Sequence, residues 1–210
     1  MKHKYTIFMP VLALIAMALA TQANAAINFT FQENGSNLDL GPTSTFTESG
    51  ISLTAAAFLN TGATTHLFAK NLGGDEIGLG TTADPTGQHE IITSDFIQLT
   101  LPTTPPSNFQ MVLLASVQPG EQAQVFFTTT PGTLTGATLI GTVTGADGHV
   151  TIPGADQTGF IDVTAGAANV LLAGAVVSTT VPDGGSAVAL LGIALAGIEG
   201  FRRWVHRRKA

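Results

Sequence analysis

Between two apolar ends the chain reads as an all-β protein, an antiparallel β-sandwich of jelly-roll type, and three observations predict it. Short runs alternate apolar and polar residues with a period of two. Gly, Pro, Asn and Asp recur between those runs as turn formers. No interior segment of helical length repeats its apolar residues at the helical spacing. Regularly spaced short strands with frequent turns are the mark of a two-sheet all-β domain.

The N-terminal end is read first as an address. Lys2 and Lys4 precede an apolar run from Ile7 to Ala20, and Ala23-Asn24-Ala25 supplies a small-x-small pattern. A positive start, an apolar core and such a site predict a secretory signal peptide over 1–25, cut after Ala25 with Ala23 and Ala25 as the small residues.

The ectodomain predicted to follow spans 26–180. Ile27, Phe29 and Phe31 alternate with Asn28, Thr30 and Gln32. Ile51, Leu53 and Ala55 alternate with Ser52 and Thr54, and Ile97, Leu99 and Leu101 with Gln98 and Thr100. Each run predicts a strand with one buried face. Phe109 to Val117 is apolar almost throughout, which predicts a strand buried on both faces. Runs at 124–129, 137–143, 149–152, 159–163 and 169–177 bring the expectation to about ten strands. Asn34-Gly35, Thr61-Gly62, Pro119-Gly120, Asp147-Gly148 and Pro153-Gly154 mark turns between them.

Charge is divided sharply along the chain. Of eight Lys and Arg, only Lys70 lies within residues 26–182, against twelve Asp and Glu, so this span carries a net charge of −11. Such a surface repels nucleic acid and anionic lipid. It suits divalent cations or solubility outside the cell. The chain has no cysteine, which removes disulfides, thiol catalysis and thiolate metal sites from the readings.

The acids concentrate in one glycine-rich stretch. Asp75, Glu76, Asp84, Glu90 and Asp95 fall within twenty-one residues, after Gly73-Gly74 and around Gly78, Gly80 and Gly87. Hard oxygen ligands brought together by tight turns suit Ca²⁺, and Asp75, Glu76 and Glu90 are the predicted ligands. The alternative is an acidic surface loop fixed by Lys70 and Asn71. No cofactor beyond Ca²⁺ is expected.

The chain is read as non-enzymatic. His66, His89 and His149 are isolated, and no nucleophile elbow or zinc motif accompanies them. Glu90 with Asp95 would be the pair for a surface glycoside hydrolase, the second alternative function. A Ca²⁺-dependent carbohydrate-binding module is the first. Tyr5 and Trp204 both lie in the terminal segments, so the ectodomain has no Tyr or Trp platform on which a sugar would stack.

The C-terminal thirty residues have three ordered parts. Val181-Pro182-Asp183-Gly184-Gly185-Ser186 is turn-prone, Pro182 biasing Val181 towards an extended shape. Residues 187–201 form an apolar run ending at Glu199, Gly200 and Phe201, and Ser186 is placed to cap a helix there. Arg202 and Arg203 open a basic end at 202–210, one turn on from Glu199, where they can pair with it. Arginines at this place favour the cytoplasmic side of a membrane. Fifteen residues of helix span about 22 Å at ~1.5 Å per residue. A bilayer core is about 30 Å, so the predicted transmembrane helix suits a transient anchor.

This trio resembles the PEP-CTERM sorting signal, in a variant with Val-Pro-Asp-Gly-Gly. The resemblance implies an exosortase as partner. It also implies recognition at Val181, Pro182, Asp183, Gly184 and Gly185, with orientation by Arg202 and Arg203. The expected route runs through a transient inner-membrane intermediate to the cell envelope, the surface or the extracellular matrix. The expected function is that of an exported structural or adhesive biofilm-matrix protein, with exopolysaccharide as a further partner and no nucleic acid.

Overall fold

In the computed structural model the described residues are 23–31, 37–74, 76–103, 107–154, 159–181, 192 and 194–198. Residues 1–22 of the predicted signal peptide, Asp75, Pro182 to Gly185 and the basic end at 202–210 lie outside them. A compact unit runs from Ala26 to Thr179.

Fourteen strands form among the described residues. They are β1 (Ala23–Thr30), β2 (Leu38–Gly41), β3 (Thr43–Glu48), β4 (Ile51–Leu59), β5 (Leu67–Asn71), β6 (Ile77–Thr81) and β7 (Ile91–Ile92). There follow β8 (Asp95–Thr100), β9 (Ser107–Ala115), β10 (Gln122–Thr128), β11 (Thr138–Thr144), β12 (Gly148–Thr151), β13 (Phe160–Ala167) and β14 (Asn169–Val181). One sheet has the order β12-β9-β14-β6-β5-β2, with β1 and β7 also pairing β14. The other has the order β11-β10-β13-β8-β4-β3. Both ladders are antiparallel, as in β9 with β14 and β4 with β8.

The core forms where the apolar faces of the two sheets meet. Phe29, Leu67, Leu79, Phe109 and Leu172 come from the first sheet, and Leu53, Ile97, Leu99, Val125 and Ile161 from the second. Full burial of each such large side chain contributes about 1.5–3 kcal/mol. Period-two alternation places them there, and β4 shows it most clearly, with Ile51, Leu53, Ala55 and Ala57 buried and their neighbours partly exposed.

One expectation needs correction. Phe109 to Val117 is not buried on both faces: β9 alternates, with Gln110 and Met111 partly exposed. The stretch 67–80, where the sequence pattern predicts no strand, forms the hairpin β5–β6. Lys70 and the glycines break its apolar pattern while leaving its period intact. β2, β3 and β7 are short or threonine-rich, and their pairing decides them rather than their own composition. In the tail, residues 192 and 194–198 are helical, and the rest of the predicted transmembrane helix at 187–201 lies outside the described residues. Among the described residues no helix is long and apolar enough to cross a membrane.

Candidate functional site

A buried polar cluster sits where β5, β6, β9 and β14 meet the segment 82–92. It begins with the hairpin. Leu67 and Ala69 of β5 join the core, so alternation turns Phe68 and Lys70 to the opposite face. Lys70 pairs with Gly78 and Phe68 with Gly80 across β6. Both glycines are required by close approach. A Cβ at Gly78 would lie 2.7 Å from the Leu172 carbonyl oxygen of β14, and one at Gly80 would collide with the His89 carbonyl. The bare Gly80 lets the segment 82–90 lie across β6 and bring Glu90 down beside Lys70, while the bare Gly78 admits β14.

That segment is held by its own acid. Asp84 is buried and accepts from Thr86 N (2.8 Å), Thr86 Oγ1 (2.7 Å) and Gln88 N (3.1 Å). Burial pushes its carboxyl up, and these donors with Glu90 N more than offset that, leaving its pKa below the ordinary value. The Phe68 ring stacks on His89 at 4.0 Å.

Lys70 Nζ donates to Glu90 Oε1 at 2.7 Å and pairs with Glu76. Ser116 Oγ donates within reach of both acids, 3.1 Å from Glu76 Oε1 and 3.0 Å from Glu90 Oε1. Asn169 Nδ2 meets the other oxygen of Glu90, Oε2. Lys70, Glu90 and Ser116 are all buried. Burial pulls the Lys70 pKa down, but hydrogen bonds and charge from Glu76 and Glu90 win, and it lies above its ordinary value. Glu76 is raised by burial and lowered further by Lys70. Glu90 ends above its ordinary value, because burial and the Glu76 charge outweigh Lys70 and Ser116.

Backbone strain gathers at the same place. Four non-glycine residues among those described have positive φ, and three adjoin the cluster: His89 (58°), Ser116 (54°) and Ala168 (55°). Each sits in or immediately before a residue of the cluster. Left-handed backbone at such residues costs of order 1 kcal/mol each and persists only where the surroundings enforce it.

Of the predicted Ca²⁺ ligands, Glu76 and Glu90 are brought together, but onto the Lys70 ammonium. Asp75 lies outside the described residues. Among the described residues no group of three or more His, Cys, Asp and Glu is placed to hold a metal ion. Asp95 shares no hydrogen-bond partner with the Glu90 carboxylate. It accepts from Thr81 Oγ1 (2.5 Å) and Ile92 N (2.8 Å), and burial raises its pKa to about 6. His66 pairs with exposed Asp39 at 2.9 Å, and His149 is exposed on β12.

The sequence reading missed Ser116 and Asn169, which come from distant strands. It also missed a further buried acid. Asp162 accepts from Gln98 Nε2 at 2.7 Å, its Oδ2 has no hydrogen-bond partner, and burial pushes its pKa to about 7. Gln98 Oε1 in turn accepts from Gly132 N at 3.1 Å, in the connection between β10 and β11. The clearest available signal was Lys70 itself, the lone cation of an acidic domain.

At the other end of the domain, β14 stays paired with β9 as far as Thr179, opposite Ser107. The Val181-Pro182-Asp183 segment begins two residues later. Ala23 and Ala25, the predicted cleavage residues, open β1.

No curated protein and no solved structure matches the chain. Residues 180–204 match the VPDSG-CTERM motif, and the chain therefore carries a C-terminal sorting tail of the PEP-CTERM/VPDSG type.

Proposed function

We propose that this protein is an exported structural or adhesive component of the cell surface or of an exopolysaccharide matrix, sorted through its tail by an exosortase. The observation that carries the reading is the motif match over residues 180–204. A tail of this type implies exosortase-type processing and delivery to the envelope or surface. Two further features support it. The domain ahead of the tail has a net charge of −11 over 26–182, which suits a solvated payload outside the cell. Its last strand is held in the ladder through Thr179, so a cut within the motif leaves that pairing intact.

Replacement of Val181, Pro182 and Asp183 by alanine tests the reading. The variant is expected to accumulate in the inner membrane while the wild type reaches the surface. Release of the triple variant at the wild-type level would sink exosortase handling. The mass of the surface-recovered protein reports both trimmed ends.

A further inference from the structure

We propose that Lys70 and Asn169 become joined by an intramolecular isopeptide bond, formed by the buried Lys70–Glu90–Asn169 cluster. This inference goes beyond the sorting reading and does not depend on it.

The geometry is that of an acid bridging two nitrogens. Glu90 holds Lys70 Nζ on Oε1 at 2.7 Å and Asn169 Nδ2 on Oε2. The amine and the carboxamide are thus presented to each other across one carboxylate. Lys70 and Glu90 are almost fully buried, at 3% and 2% exposure, and Asn169 is half-buried, so the amine and the shuttling acid are shielded from water. The arrangement is fixed before any reaction. Gly78 lets β14 approach and Gly80 lets the backbone at His89 and Glu90 approach, and His89, Ser116 and Ala168 hold strained backbone beside the reacting groups. Preorganisation of this kind replaces the entropy cost of bringing two groups together.

The step balances without a co-reactant. Glu90 takes a proton from the Lys70 ammonium, giving a neutral amine and a neutral acid. The Nζ lone pair attacks Asn169 Cγ, forming the C–N bond and placing negative charge on Oδ1. Glu90 carries a proton from Nζ to Nδ2. The Cγ–Nδ2 bond breaks, ammonia leaves, and it takes up the proton remaining from the ammonium. Glu90 returns to its carboxylate. Glu90 suits this shuttle because its two oxygens touch the two nitrogens between which the proton moves. Ser116 Oγ, on Glu76 and Glu90, keeps the two acids aligned.

The bond would tie β5 to β14 across β6. β14 is the strand that runs into the sorting tail. Tension applied through the C-terminus would then pass into the sheet through a covalent link at Asn169, in a chain that has no cysteine to do this by disulfide.

The sequence supplies a direct test. Lys70 is the lone tryptic site between residues 26 and 182, and an amidated lysine is not cut. The full chain is purified, denatured and digested with trypsin. The wild type is expected to remain uncut after Lys70. A peptide from a second protease is expected to show Lys70 and Asn169 joined, with a mass lower by one ammonia than the sum of its parts. Asn169→Ala and Glu90→Gln are expected to be cut after Lys70. The readout is made on denatured protein, so the wild-type result stands even if a variant folds poorly. Complete cleavage of the wild type after Lys70 overturns the proposal. Loss of water in place of ammonia would put the amide on Glu76 or Glu90 and overturn Asn169 as acceptor. Full linkage in Glu90→Gln would overturn the role given to Glu90.

Discussion

Lys70 Nζ lies 2.7 Å from Glu90 Oε1, with both side chains only 3% exposed. A buried pair of this kind recovers its desolvation cost only when the remaining polar atoms are also satisfied. Glu76, Ser116 and Asn169 do that here. The pair joins the β5–β6 hairpin to the segment crossing it, so energetics and architecture meet at one contact.

Removal of the cation alone is therefore costly. In an Asn169→Ala background, where Lys70 stays an unlinked ammonium, Lys70→Met leaves Glu90 buried without its partner, and unfolding by urea at neutral pH is expected to show a loss of about 3–5 kcal/mol. Lys70→Met combined with Glu90→Leu is expected to recover part of that loss. A Lys70→Met variant as stable as that background would mean that Glu90 is not held as a buried charge.

Asp162 makes stability depend on pH. Its folded pKa of about 7 stands above the ordinary 3.8, so burial favours the protonated acid. The stability it contributes is fully present below about pH 4 and is lost as the pH rises through 7. The limiting slope for one proton is about 1.4 kcal/mol per pH unit. Asp95 acts in the same direction up to about pH 6. Asp162→Asn keeps an acceptor for Gln98 and cannot ionise. Its melting temperature is expected to exceed the wild type at pH 8 and to vary less between pH 4 and 7. Parallel curves for the two proteins would contradict a neutral buried Asp162.

Gly80 is a packing requirement. Gly80→Ala drives a Cβ into the His89 backbone, and overpacking against backbone costs about 1–3 kcal/mol or more. Gly154→Ala serves as the comparison, because nothing lies within 4 Å of its Cβ position. Chemical denaturation is expected to show a large loss for the first and little change for the second.

In the unlinked chain, as in Asn169→Ala, calcium should have little to do at Glu76 and Glu90, since the Lys70 ammonium supplies the positive charge between them. The melting temperature of chelator-treated protein is expected to be unchanged by added Ca²⁺. A rise on addition, abolished by Glu76→Gln, would show that a cation competes with Lys70.

The strands most legible in the sequence were those whose inward residues are large and apolar. Ile51-Ser52-Leu53-Thr54 announces β4 because each inward residue is apolar and each outward one polar. β5 was not legible. Its outward face meets another part of the chain, so it carries Phe68 and a buried Lys70 where water-facing residues would be expected. β6 was hidden for a related reason: Gly78 and Gly80 lower strand propensity in order to admit other backbone. Glu76 and Glu90 were singled out together as a cluster, but the cation expected between them was a metal rather than a lysine.

The sequence by itself determined the alternating strands and the uneven placement of charge, because period and composition are local properties. It also determined the tail, since residues 180–204 match their motif by order along the chain alone. Only the tertiary structure decided what Lys70 is for. Glu90 lies twenty residues from Lys70, and Asn169 seventy-nine residues from Glu90. No local pattern links residues so far apart, and they meet because two glycines on β6 leave room for them.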